Sequence, residues 1–413
     1  MAITNPRTGN TYGLAFAWQT AEGAAASIGN ARYALAKSVE PSRGQSYIDP
    51  QGTAGSHFEK PTLRTVTEEP TVTAELYGSV EALPVLLEGA MLGQPTVSNA
   101  QMTRTLDGGS FITTMSLTGV RPGFNTEWLT AGACKLYISI TDGSPNTVNV
   151  YKDSARSLLV ATCTCADGAT ASLTASNNSG LTGSITLGTV TANDTDIVAT
   201  IDTVAYVFAS QPARFFTTFV DDGQKLHTFA DCAVRRLEMT SEDKGPLMVR
   251  VEIAAKSWAQ ASTGATISLD HITVFAHQDS VFTTDTGGTP VVQNPMSFGL
   301  TIENSLEAVL AGSATPAKLI LKSVALSARS SHEFSDEVQT MIDNDDADTE
   351  YAVSSVYTKS SRVLTVTATN MRPKDTRLPA FSERSVSPAE ITWTLREAAG
   401  SSPAAPIAVT LKP

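Results

Sequence analysis

Across residues 226–257 the chain alternates twice. Ala233, Arg235, Leu237 and Met239 interleave with Val234, Arg236 and Glu238. After the polar stretch 241–245, Leu247, Val249, Val251, Ile253 and Ala255 interleave with Met248, Arg250, Glu252 and Lys256. A period of two over this length predicts two strands, each with one buried and one wet face. The Glu-Asp-Lys-Gly stretch between them predicts a hairpin turn. The wet face carries both signs of charge, which suits water or another subunit and not lipid.

The rest of the chain follows the same grammar. TVTAELY at 71–77 alternates as a strand. Behind it, Leu83, Leu86, Leu87, Ala90 and Met91 keep helical spacing, with Pro84 in the first turn and Gly93 and Pro95 at the far end. That predicts one short amphipathic helix lying on a sheet. SFITTMSLTGV at 110–120 is another strand. From 136 to 204, short strands alternate with Gly/Asn/Asp turns and basic residues nearly vanish, which predicts an inserted small β-sandwich. The second half repeats the theme. MSFGLTIENSL and LILKSVALSA are strands. A second short helix follows, with Ser335 as N-cap and Phe334, Val338, Met341 and Ile342 on one side. Further strands come after it. Several long strands plus one helix in each half invite an internal duplication or a bipartite sandwich. Residues 1–66 and the Pro/Ala-rich end from Gly400 lack strong periodicity. The first is expected to be an extended arm with little core, and the last residues, IAVTLKP, a short edge strand. The loop 278–295 is expected to project.

Composition narrows the function classes. The 413 residues carry 17% charged and 7% aromatic side chains, a formal net charge of −12 and 28 glycines. Tight binding of nucleic acid through phosphate neutralisation does not suit that charge, whereas a passage that must not hold DNA does. No signal peptide is visible at the start, and no apolar run reaches the length of a membrane span.

Candidate chemistry is sparse. Cys134, Cys163, Cys165 and Cys232 have no second pair at zinc spacing and are expected to be reduced thiols, partly buried. His57, His227, His271, His277 and His332 form no metal-binding spacing. No nucleophile elbow, phosphate loop or dinucleotide fingerprint is present. The acidic run 343–350, DNDDADTE, has oxygen ligands but neither the glycine nor the closing Glu of a calcium loop, and is expected to be a solvated loop after a helix. The reading is therefore of a protein that is not an enzyme and uses no cofactor.

Three stretches together resemble the tail tube (major tail) proteins of long-tailed bacteriophages: EEPTVTAELYGSVEALPVLLEGAMLG, TFVDDGQKLHTFADCAVRRLEMTSEDKGPLMVRVEIAAKSW and MSFGLTIENSLEAVLAGSATPAKLILKSVALSA. The likeness covers most of 67–398 outside 136–204 and rests on order and texture. It implies a mainly β fold: a tube β-sandwich or barrel with short flanking helices, either single or doubled, plus an inserted immunoglobulin-like module that decorates the outside. The implied division is an arm at 1–66, a first tube-fold half at 67–135 and 205–260, the module at 136–204, a second half at 261–400 and a tail at 401–413. It also implies a structural virion protein, made in the host cytoplasm and self-assembling into stacked rings around a lumen for double-stranded DNA. One tube fold per chain would make hexameric rings; two would make trimeric ones. Partners would be other copies and other tail proteins. Arg235, Arg236, Glu238, Arg250 and Glu252 would face the lumen or pair between subunits, and the arm and loop 278–295 would join ring to ring. Alternatives are a distal tail or terminator ring, or a β-sandwich that binds a surface glycan.

Overall fold

The structure is a computed structural model that describes residues 13–19, 21–48, 64–97, 100–104, 111–120, 134–176, 179–212, 214–261, 273–310, 315–333, 335–346, 349–377, 381–382, 385–386, 388–395 and 407–412. Strands make up 63% of the chain, and the described residues hold two short α-helices, so the fold is mainly β, built from antiparallel sheets.

The 226–257 stretch forms its hairpin, but the first strand is longer than the alternation suggested. Strand Leu226–Glu242 runs through two sheets. Its first part pairs with Phe216–Asp221 and Ser257–Gln260, and its second with Met248–Ala254 and Pro295–Val309. Two local features make the bend. Asp231 has φ +53°, a left-handed conformation that Asp tolerates better than most residues. The register with Met248–Ala254 then shifts between Val234 and Arg236. A bulge of this kind turns a strand and lets it change sheets. It also corrects the sequence reading of Arg235. That residue was placed in phase with Leu237 and Met239, but it is the extra residue of the bulge, and Val234 joins Leu237 and Met239 in the core.

The whole architecture is this unit built twice. In the first half a four-stranded sheet runs in the order Ala36–Ser42, Thr71–Tyr77, Met248–Ala254 and 233–242. In the second half the order is Pro295–Val309, Lys318–His332, Ala389–Leu395 and 371–377. Each half also has a covering layer. One is Arg32–Ala34, Gly13–Trp18, Phe216–Asp221, 226–231 and Ser257–Gln260. The other is Val291–Gln293, Ser280–Asp285, Tyr351–Lys359, 362–368 and Ile407–Lys412. A helix follows the second sheet strand in both halves, Leu83–Met91 and Asp336–Asp346.

The irregularities repeat as well. Register shifts at Ala36/Ser38 and Ser46/Tyr47 have counterparts at Pro295/Ser297 and Ser305/Leu306. The shift at Phe216/Thr218 has its counterpart at Tyr351/Val353. Asp231, one residue before the partner of Phe216, corresponds to Asn370 at φ +57°, one residue before the partner of Tyr351. Residues 236–242 pair with 297–303, so the two four-stranded sheets fuse into one of eight strands. Its apolar face and the covering layers share one core. Phe282 and Phe298 meet across it at 5.0 Å, and Tyr351 and Trp393 at 5.4 Å.

Several expectations change. The described part of the N-terminal arm is woven into the sheets, and Leu14, Ala15, Phe16 and Ala17 are all buried. A strand covered on both faces shows no alternation, which is why it read as featureless. The helix Leu83–Met91 is buried on every side, including Glu88, and not only along a stripe. Gly89 lets it sit tight, because a Cβ there would lie 2.8 Å from Val234 Cγ2. In the second helix the Ser335 hydroxyl accepts from Val338 N at 3.3 Å and Val338 and Met341 are buried, while Phe334 lies outside the described residues. Asp343 to Asp346 form its last turn and are not a loop. Ile407–Lys412 is paired on both sides, with 363–368 and with Val204–Tyr206, so it is not an edge. The loop 278–295 is the hairpin Ser280–Asp285 with Val291–Gln293, attached to Tyr351–Lys359.

The inserted module is wider than 136–204. Ile112–Thr118 pairs with Thr182–Leu187, and Gln101–Arg104 with Asp194–Ile201. These two strands were assigned to the first half because sequence order alone cannot separate a stem from the fold that carries it. The module enters between the first helix and Phe216–Asp221, where the second half has only residues 347–350.

Candidate assembly surface

The face of the eight-stranded sheet opposite the core is mostly polar, interrupted by Met248 and Tyr77 and by a small apolar cluster of Ala233, Ala254 and Leu319. One row across the strands runs Glu75, Arg250, Glu238, Thr301, Ser327, Thr394, Arg372. The next runs Glu40, Thr73, Glu252, Arg236, Glu303. Opposite charges thus stand directly across from one another, Arg236 between Glu252 and Glu303, and Arg250 between Glu75 and Glu238. Such cross-strand pairs each add a few tenths of a kcal/mol to about 1 kcal/mol and, with bulges counted, select one register.

The side chains add detail. Arg236 Nη2 donates to Glu238 Oε2 at 3.1 Å along its own strand. Lys37 Nζ donates to Glu75 Oε1 at 3.0 Å, and that bond holds the Lys37 ammonium above its ordinary pKa. Ser297 and Ser331 share a hydroxyl contact of 2.9 Å. Three open depressions of about 690, 340 and 340 Å³ lie on this face. They are lined by residues such as Arg329, Glu390 and Thr392 in the first, Glu40, Thr73 and Glu75 in the second, and Arg236, Glu303 and Thr301 in the third.

Of the five residues singled out from sequence, Arg236, Glu238, Arg250 and Glu252 meet on this face, while Arg235 has no partner in that register. Sequence reasoning missed the remainder of the surface: Glu75, Glu303, Arg329, Arg372 and Lys374. The signal was present as the wet phase of each strand. What was absent was any sign that eight wet phases join into one face.

Elsewhere the titratable groups serve the fold. Ser241 Oγ lies 3.1 Å from His277 Nδ1 and 2.9 Å from the Tyr357 hydroxyl, and His277 Nε2 lies 2.9 Å from the Pro295 carbonyl. This chain ties the 226–257 hairpin to the covering layer, and burial pushes the Tyr357 hydroxyl pKa up. Cys163, Cys165 and Cys232 are buried free thiols, with burial raising Cys163 to about 11 and Cys232 to about 12. Among the described residues no three His, Cys, Asp or Glu groups gather to hold a metal ion. His57 and His271 lie outside the described residues. No described helix is long and apolar enough to cross a membrane.

Compared with known proteins, the chain matches no family model and no curated protein.

Proposed function

We propose that the chain is a ring-forming structural subunit of a bacteriophage tail tube. In this reading the polar face of the eight-stranded sheet lines a passage for double-stranded DNA. The observation that carries it is the doubled sheet itself: two like units fused edge to edge, with one continuous wet face of mixed charge. A chain with two tube units makes, by the resemblance, a ring of three copies and six units. Three copies bring about 24 strands, which at ~4.8 Å spacing and ~40° tilt close at a backbone radius of about 24 Å. Two copies would close at about 16 Å, too narrow for inward side chains and a nucleic-acid duplex together. Alternating signs and hydroxyls on the wall offer DNA no continuous basic stripe, so it slides and does not bind.

The module projects away from the ring, and other tail proteins are the partners at its ends. Assembly takes place in the host cytoplasm, and the finished tube belongs to the virion tail. The test is negative-stain electron microscopy of the purified chain over a range of concentration and salt. Long hollow tubes of uniform width are expected. Discrete rings that never stack would make it a single-ring tail component, and monomers under every condition would overturn the proposal.

A further inference from the structure

The wet face is not evenly charged. In the first half the cations stand beside carboxylates: Arg236 between Glu252 and Glu303, Arg250 between Glu75 and Glu238, and Lys37 bonded to Glu75. The second half departs from that pattern. There Thr392 stands between Arg329 on one neighbouring strand and Lys374 on the other. Both cations are exposed, and among the described residues neither has an ion-pair or hydrogen-bond partner.

Hydroxyls surround them. Thr394 and Ser327 lie in one adjoining row, which ends in Arg372, and Ser331 lies in the other, opposite Glu390. Arg372 and Glu390 are engaged in contacts of their own. The 690 Å³ depression opens at this place, between Arg329, Thr392 and Ser331. Arg329 and Lys374 are two strand spacings apart, about 10 Å, so their long side chains can reach one anionic group or two successive ones. Arg, Lys, Ser and Thr are the side chains that meet phosphate oxygens along a nucleic-acid backbone, and the guanidinium fork matches a phosphate in particular. An acidic peptide would meet the same cations, but the passage reading brings a duplex along this face.

We infer that this corner of the second half is a phosphate-contact patch, where Arg329 and Lys374 meet the backbone of a passing DNA duplex. The first half, its cations already neutralised, makes no such contact. This rests on the reading of the face as a DNA passage. Three copies set three separate patches around the lumen with neutral sectors between them. The duplex is thereby centred and is not gripped by a continuous basic stripe.

The test passes the full chain, held below the concentration at which it assembles, over immobilised duplex DNA at a series of salt concentrations. Two phosphate contacts predict a log–log salt slope of about −1.8, so binding weakens about tenfold between 50 and 200 mM salt. Arg329→Ser with Lys374→Ser is expected to abolish the retention and its salt dependence. Arg329→Lys with Lys374→Arg keeps both charges and is expected to keep the retention. Arg236→Ser with Arg250→Ser is expected to leave most of it in place. A parent chain without salt-dependent retention, or a serine pair retained as strongly as the parent, would overturn the patch. Equal retention on immobilised polyglutamate would overturn its assignment to phosphate. These results bear on the patch alone, whereas tube formation, read by electron microscopy, bears on the ring reading.

Discussion

Asn304 offers the sharpest test of how the two halves are held. It lies on the junction strand, 1% exposed, and its Nδ2 donates to the Ala90 carbonyl at 2.8 Å and to the Val234 carbonyl at 2.9 Å. Both acceptors sit where the regular pattern ends. Ala90 is in the last turn of its helix, where carbonyls lack intrahelical donors, and Val234 borders the bulge. One amide therefore ties the buried helix, the bent strand and the second half together. Asn304→Leu keeps similar volume but removes both donors, stranding two buried carbonyls at about 1–3 kcal/mol each. Leucine also removes the buried Asn304 Oδ1, which has no hydrogen-bond partner among the described residues, and with local relaxation this brings the expected destabilisation to about 1–3 kcal/mol. Asn304→Asp is expected to cost more, because a carboxylate would face two carbonyl oxygens. Chemical denaturation monitored by tryptophan fluorescence measures both. A leucine variant within about 0.5 kcal/mol of the parent would refute the reasoning, since a change of that size is typical of sites without such a role.

Two further outcomes follow from the core. His332 is buried beside Phe282 and the Ser330 hydroxyl, to which Trp393 Nε1 also donates, with its pKa lowered by desolvation to about 4, below the ordinary 6.5. The unfolded chain therefore takes up this proton first as pH falls. The contribution to stability is full above about pH 6.5 and is lost as pH drops from there toward 4, by at most about 3 kcal/mol. Denaturation at pH 7 and pH 4.5 is expected to show a smaller pH dependence in His332→Gln than in the parent; equal dependence would count against the assignment. Gly93 lies where a Cβ would sit 2.2 Å from the Val207 carbonyl oxygen, so Gly93→Ala is expected to cost about 1–3 kcal/mol and lower the unfolding temperature. An unchanged transition would show that the module stem yields freely.

Legibility tracked how each strand is buried. Thr71–Tyr77 and Met248–Ala254 have one wet face, and both were plain in the alternation. Gly13–Trp18 is covered on both faces, and its sequence reads as part of an extended arm with little core. Strand Leu226–Glu242 was half legible: its pattern holds up to the bulge and resumes one residue out of phase, so Arg235 was assigned to the wrong partners. The module strands were found one by one, but Ile112–Thr118 was credited to the fold that bears the module, because a strand's own pattern does not name its neighbour.

By itself the sequence determined that this is a mainly β protein with two short helices, buried thiols and mixed charge on its wet faces. All of these are properties of single segments, set by local periodicity and side-chain chemistry. Only the tertiary structure decided that the chain is one unit built twice, and that eight wet faces make a single surface. The duplicated positions hold different residues, Asp231 for Asn370, Phe216 for Tyr351, Ser42 for Thr301. Their likeness lies in register, bulges and backbone angles, which many side chains satisfy equally well and which become visible only once the strands are paired.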